Sequence, residues 1–351
     1  MTFKSPWTPE MDQRLMELYL LEGLNQEQIA TIIGLSQDSV QRRCKKLDIT
    51  GRKGDNRIYY QRMGEITDVE GPSFQPVRHV ITERVKPLVS KTHQTSLHWS
   101  DIHFPFHDPR AVNILYQIAE DLQPDTLVCH GDAADMWQLS NHRPPLETKL
   151  KADQIDVQET LVMVSEHLAR MVELTNPRWK IFMMGNHEDR WNRLLGGIQQ
   201  DQRYSQLLKI PKISEVLNLD YLLGLTEQGW QFNDYLEGDR TTLHDRLLVI
   251  HGYSSTIWAS RAHLQSYGTN VMFGHSHRIQ NFTKTDLNGS VSGWNIGCLC
   301  DLRPHWRQRP NWQQGFAVVN WSKIDGKWLF QVEQIRIHDG VCIWRDKTYK
   351  A

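Results

Sequence analysis

Apolar positions along this 351-residue chain repeat in three different ways. Over residues 1–50 they recur every three or four positions, at Leu15, Leu18 and Tyr19 and then at Ile29, Ile32 and Ile33, as on one face of an α-helix. Thr8-Pro9-Glu10 reads as a cap, a proline at the first helical position and an acidic residue suited to the helix start. Gly23 and Gly34 end two helices, and Ser36 caps a third over 37–47. Helix, helix, glycine turn, helix is the outline of a small three-helix helix-turn-helix domain in 1–52. Across 53–94 the periodicity fades. Gly71-Pro72 and Pro76 argue against a long helix, so this stretch reads as a linker with one short strand in 77–89.

From 95 to 350 the pattern becomes short apolar run, polar loop, helix, which predicts an α/β domain. Strands are expected at 95–99, 126–129, 179–184, 247–250 and 270–273. Helices are expected from Asp108-Pro109 to Glu120 and over 151–173. The span 188–245 reads as a mostly helical insertion or cap. The tail alternates apolar and polar residues, with strands at 315–321, 327–332 and 341–344.

Charge and composition narrow the partners. A formal net charge of -1 excludes a general polycation, so any nucleic-acid contact needs a local patch. The third helix offers one: Gln41, Arg42, Arg43, Lys45 and Lys46, with Arg52 following, form a basic face suited to a phosphate backbone and a major groove. A solvated basic helix in a protein-docking module is the alternative. The 5 Cys include no CxxC pair, which points to a reduced, cytoplasmic chain, and Cys298-x-Cys300 reads as two buried thiols, with a metal pair as the alternative. No stretch has the length and apolarity of a signal peptide or membrane span. Trp294, Trp306 and Trp312 read as core rather than as base-stacking platforms.

The informative chemistry lies at the strand ends. The five predicted strands run into Asp101-Ile102-His103, Gly131-Asp132-Ala133-Ala134-Asp135, Gly185-Asn186-His187-Glu188, His251-Gly252 and Gly274-His275-Ser276-His277. Functional groups of α/β sheets gather at the carboxyl ends of strands. Carboxylates, imidazoles and one amide oxygen, without thiols, suit Mn, Fe, Zn or Ni.

These five motifs, in this order, resemble those of the calcineurin-like metallophosphoesterase superfamily. The resemblance implies a two-sheet αββα sandwich and two divalent metal ions, with manganese the first expectation. It implies that Asp101, His103 and His277 bind one ion, that Asn186, His251 and His275 bind the second, and that Asp132 bridges them. It also implies that a hydroxide held between the ions attacks phosphorus. His187 would then protonate the leaving group, oriented by Asp135. The N-terminal stretch resembles Myb-like and GcrA-type helix-turn-helix modules. The run Asp101-x-His-x-Pro-Phe-His-Asp and the later Trp312-x-x-Gly-Phe look like single-chain enzymes of phage and prophage genomes.

The substrate follows less directly. Protein Ser/Thr phosphatases of the superfamily carry Arg where this chain has Met136, and a basic helix-turn-helix would hold an enzyme on DNA. The expectation is therefore a DNA-directed nuclease or phosphodiesterase, with Asn141, His142, Arg143 and Arg190 as phosphate contacts. The alternative is a phosphomonoesterase, acting on protein or nucleotide, that the N-terminal module only docks. A DNA-binding regulator with a relic metal site is disfavoured because every ligand position is filled.

Overall fold

The computed structural model describes residues 11, 14–15, 18, 26–46, 92–140, 156–201, 204–235, 241–287, 289–304 and 310–351. The chain divides into two compact units, 1–74 and 75–351.

In the first unit, helix α1 (Gln26–Ile33) and helix α2 (Gln37–Lys46) are joined by Gly34, whose φ of 74° turns the chain at a position where a side chain would strain it. Ser36 caps α2, its hydroxyl accepting from Ser39 N at 3.2 Å. Leu15, Leu18, Ile29, Ala30, Val40 and Cys44 are buried together, with Ile33 packed against them. Ile32, expected on that face, is instead 53% exposed: it follows Ala30 by two positions and so points away from the buried stripe. Gln41, Arg42 and Lys45 are exposed and Arg43 is half-buried. Arg42 pairs with Asp38 one turn back. The expected opening helix lies mostly outside the described residues, and so do Arg52 and the strand expected in 77–89.

The second unit contains two stacked sheets. The first has the order β11-β10-β1-β2-β3-β4 and joins β1 (His93–Trp99), β2 (Thr126–Cys129), β3 (Trp179–Met183) and β4 (Gln231–Asn233), all parallel, to β10 (Gly315–Ile324), antiparallel to β1, and β11 (Lys327–Arg336), antiparallel to β10. The second has the order β5-β6-β7-β9-β8. There β6 (Leu247–Val249), β7 (Val271–Phe273) and β9 (Gly289–Ile296) are parallel, and β5 (Thr242–Leu243) and β8 (Ile279–Asp286) close the edges antiparallel. A hairpin of β12 (Val341–Trp344) and β13 (Lys347–Lys350) follows.

Strand alternation assigns each face. Val128, Ile181, Met183, Leu247, Val249, Met272, Ala317 and Val319 fill the space between the sheets. Their neighbours Leu127, Cys129, Phe182, Phe316 and Val318 face outward from the first sheet. There they meet α3 (Pro109–Leu122), through Ile114, Leu115 and Ile118, and α4 (Val157–Thr175), through Leu161, Val164 and Leu168. On the far side Leu248, Val271 and Phe273 pack with Ala259 of α9 (Ala259–Tyr267). The layers are helix, sheet, sheet, helix. Strands buried on both faces explain why the sequence shows unbroken apolar runs rather than alternation.

Helix α3 starts at the cap the sequence places, whereas α4, expected from 151, starts at Val157. Asp108 accepts from Arg110 N at 2.9 Å with Pro109 at the first helical position, and Asp156 forms a capping box with Glu159. The span 188–245 is helical only in part: α5 (Asp189–Gln200), α6 (Ser205–Leu208), α7 (Pro211–Val216) and α8 (Leu219–Leu223) give way to β4, which extends the first sheet, and β5. Among the described residues no helix is long and apolar enough to cross a membrane.

A line of polar groups ties the sheets together through this core. Trp321 Nε1 donates to Ser96 Oγ at 3.0 Å, Ser96 Oγ lies 2.8 Å from His98 Nε2, His98 Nδ1 lies 3.0 Å from His130 Nε2, and His130 Nδ1 donates to Ile250 O at 2.8 Å. Running the donors in that direction satisfies every group with both rings neutral. Burial, with the neighbouring rings, holds His98 well below its ordinary value of 6.5, and burial lowers His130 to about 4. His167, behind α3 against Tyr116, is lowered to about 3 by burial and by His107.

Because these rings bind a proton less readily folded than unfolded, their contribution to stability is intact above about pH 6.5 and is lost as pH falls towards 4. Urea unfolding at stepped pH should show stability falling over this window. His167→Gln should make the slope shallower by up to one proton, about 1.4 kcal/mol per pH unit. An unchanged slope in the variant would contradict a neutral buried His167.

Candidate metal centre

The five polar motifs are loops at the carboxyl ends of β1, β2, β3, β6 and β7, and the stacking of two sheets brings these ends to one rim. Close approach of the loops requires glycine at their contact points. A methyl group on Gly185 would collide with the Asp132 carboxylate, and one on Gly274 with Ser100 Oγ and Asp101 Oδ2. Five of the seven expected ligand residues adopt left-handed backbone: Asp101 (φ 54°), His103 (56°), Asp132 (50°), His275 (64°) and His277 (57°). Each costs on the order of 1 kcal/mol or more, and the surrounding hydrogen bonds hold it.

The side chains converge in two clusters. Asp101, His103 and His277 form one, with His103 Nε2 3.0 Å from His277 Nε2 and His277 Nε2 3.1 Å from Asp101 Oδ1. Asp132, His251 and His275 form the other. Asn186 Oδ1 joins it, 2.7 Å from His275 Nδ1 and 3.1 Å from His251 Nε2. Asp132 Oδ2 lies 3.4 Å from His251 Nε2 and 3.8 Å from His103 Nε2, so its carboxylate stands between the two groups.

The donor set fits divalent cations. Asp101 Oδ1 is fully buried without a hydrogen-bond partner, which is costly for a carboxylate oxygen unless an ion meets it. His103 Nδ1 faces Asp135 Oδ2 at 3.1 Å, and His251 Nδ1 donates to His130 O at 2.8 Å. Both rings are thereby oriented with Nε2 turned inward, the tautomer a metal ligand needs.

The electrostatics agree. Burial opposes ionisation of Asp101 and Asp132, yet His277 and His103 around the first and His251 and His187 around the second hold both well below the usual carboxylate range. Burial disfavours charge on the rings too, but Asp101 and Asp135 push His103 well above 6.5, and Asp132 carries His251 up to about 9. His275 stays near 4, through burial and the adjacent His251. Protons and cations compete for the same lone pairs, so metal uptake here releases protons.

His187 lines the cavity beside His103 and Asp132, its Nε2 4.0 Å from Asp132 Oδ2, and its donor atoms fall with theirs in a further close group. Its Nδ1 lies 2.8 Å from Asp135 O and 3.2 Å from Asp135 Oδ2, and its ring meets that of His103 edge-on at 4.4 Å. Asp135 therefore touches two imidazoles, not His187 alone. Arg190 donates to Asp135 O at 2.8 Å and lies 3.2 Å from His187 Nε2, at the site as expected from the sequence. Asn141, His142 and Arg143 lie outside the described residues.

Several contributors were not singled out in the sequence. Glu188, fully buried, accepts from Asp132 N, Gly185 N and Ala134 N at 2.9, 2.9 and 2.8 Å and so fixes two motif loops against each other. Its only sequence signal is its place directly after Asn186-His187. Phe106, Ser255, Arg278 and Trp312 line the cavity of about 330 Å³ over the metal clusters. Trp312 rests on the His277 ring at 4.3 Å and is half-buried at the site, whereas Trp294 packs against the core between the sheets, as expected. Trp306 lies outside the described residues.

Gly185→Ala should leave the fold's circular dichroism in place and weaken cation binding by at least about tenfold in calorimetric titration, because the added methyl displaces Asp132. Unaltered binding would show that the two loops can separate without cost.

Comparison with known proteins places this geometry. No curated protein matches the chain. Among solved structures the chain is similar to a single-mutant Vps29 from Entamoeba histolytica, with 11% identity, a TM-score of 0.32, and coverage of 70% of this chain and 99% of that one. Vacuolar Protein Sorting 29 from Cryptosporidium parvum gives 9%, 0.35, 70% and 100%, and Chaetomium thermophilum Vps29 gives 9%, 0.32, 73% and 97%. The family model of the calcineurin-like phosphoesterases matches residues 95–279, a span that carries all five motifs and more than half of the chain. The chain belongs to the calcineurin-like phosphoesterase family, metal-dependent hydrolases of phosphoesters.

Proposed function

We propose that this protein is a DNA-directed phosphodiesterase of that family, working with two divalent cations, manganese first among them. The carrying observation is the pairing of two donor clusters around Asp132 with a His187 on the cavity wall that Asp135 holds in place. When bound, the cations supply Lewis acidity towards the phosphoryl oxygens and towards water. Asp101, His103 and His277 would hold one, Asn186, His251 and His275 the other, and Asp132 would serve both.

The chain's own residues account for the rest. Asp135 keeps the proton of His187 on Nδ1, so Nε2 is the atom turned towards substrate. An imidazolium at that position donates from Nε2 to the departing alkoxide, and Asp135 stabilises its positive charge. Arg190, beside His187 Nε2, offers a planar pair of donors that suits a non-bridging phosphate oxygen. Arg278, Ser255, Phe106 and Trp312 also line the cavity and would restrict water there.

DNA as the substrate is supported by the first unit. Its α1–α2 pair is built on a small apolar core, and α2 turns Gln41, Arg42 and Lys45 outward. These would meet phosphates and base edges, with Arg43, Lys46 and Arg52 completing the basic face. Tethering through this unit would raise the local concentration of diester at the metal site. Kinship with phage and prophage enzymes and a cytoplasmic setting are part of the same reading.

The full chain with Mn²⁺ should turn over a bis-aryl phosphodiester and cleave duplex or single-stranded DNA. Turnover of a phosphomonoester alone would overturn the diester reading in favour of a docked phosphatase. His187→Ala should retain both cations by elemental analysis and lose roughly 10²- to 10⁴-fold in kcat; loss of a cation would make His187 a ligand instead. Deletion of residues 1–52 should weaken DNA binding, with a shallower salt dependence, and leave small-diester turnover unchanged. Equal DNA affinity in the truncated chain would refute the tether.

A further inference from the structure

The five cysteines are all buried and free, but they do not share one environment. Cys44, Cys129 and Cys342 sit inside apolar clusters. Cys298 and Cys300, on the segment after β9, belong to none of the four apolar clusters; they flank His277, and Cys300 opens on the metal-site cavity. Ligating atoms of His277, Cys298 and Cys300 all lie within 4.8 Å of one another.

His277 faces two ways. Its Nε2 meets Asp101 Oδ1 at 3.1 Å and His103 Nε2 at 3.0 Å, whereas its Nδ1 stands 3.6 Å from Cys300 Sγ. Metal–nitrogen and metal–sulfur bonds of about 2.0 and 2.3 Å at a tetrahedral angle place two donors about 3.5 Å apart. The observed separation is that of a tetrahedral edge.

We propose that His277 Nδ1, Cys298 and Cys300 form a third cation site, selective for a thiophilic divalent ion such as Zn²⁺ or Cd²⁺, whose filling turns off the phosphoesterase centre. Thiolates select such ions over Mn²⁺ or Mg²⁺, which prefer oxygen and imidazole. Entry runs through the cavity past Cys300. On binding, the ion replaces the two thiol protons, which leave to solvent, and takes the Nδ1 lone pair. The ring proton then resides on Nε2, 3.1 Å from Asp101 Oδ1. An imidazole protonated at Nε2 has no lone pair for the oxygen-rich site. One neutral ring thus cannot serve both centres, and the soft ion inhibits by removing a ligand and not by blocking substrate.

Cd²⁺ titration of the full chain, followed by the near-ultraviolet thiolate-to-metal absorption band, tests the site without reference to turnover. The band should saturate at one ion per chain, vanish in Cys298→Ser and in Cys300→Ser, and persist in Cys342→Ser. In parallel, Zn²⁺ should inhibit Mn²⁺-supported hydrolysis of the bis-aryl diester, and Cys300→Ser should need at least about tenfold more Zn²⁺ for the same inhibition. Cys300→Ala, read alongside by circular dichroism, separates ligand loss from misfolding. No band in the unaltered protein, a band that survives both serine variants, or equal Zn²⁺ sensitivity in Cys300→Ser would overturn the proposal.

Discussion

The placement of the Asp132 carboxylate governs the rest of this molecule. It is buried between His251 and His103 and accepts from His187 N at 2.8 Å, so it belongs to the loops after β2 and β3 while facing imidazoles from β1 and β6. A carboxylate removed from water to this extent is tolerable only when positive charge and donors surround it. Glu188 from the neighbouring loop then takes the backbone N–H groups on either side of it, and Gly185 leaves it room. The left-handed residues, the glycine contacts and the buried acid are all consequences of holding that one group at the junction of two sheets.

This explains why so much stability is committed to a polar rim. The apolar layer between the sheets brings the strand ends together, and the Trp321–Ser96–His98–His130–Ile250 line carries that registration through the core. His130 then presents its carbonyl to His251 Nδ1, so a hydrogen-bonded strut and a ligand share one residue. Core packing and site geometry are coupled by position, not by a separate device.

The site was legible in the sequence because each motif directly follows an apolar run, and parallel strands place such ends on one side. Asp101, His103, Asp132, Asn186, His251, His275 and His277 meet as their spacing and order implied. The strand 126–129 was readable as a fully buried apolar run with polar ends, and 341–344 by its alternation. The β8–β9 hairpin was not, because its outer positions from Thr283 to Ser290 are mostly exposed and carry no apolar period. Nor was β4, whose three residues pair with β3 only after a helical excursion. Glu188 and the His98–His130 pair were missed for another reason: their roles are to accept or pass hydrogen bonds across distant segments, and nothing in local spacing encodes the partner. Trp312 reads as core in sequence because a half-buried tryptophan over a histidine has no distinguishing pattern.

The most direct test of this account is the cation content of the reconstituted protein, located by anomalous scattering. It predicts two divalent ions per chain, one among Asp101, His103 and His277 and one among Asn186, His251 and His275, each also bonded to Asp132. Ions absent from that rim, or a single ion that leaves Asp132 uncoordinated, would contradict it.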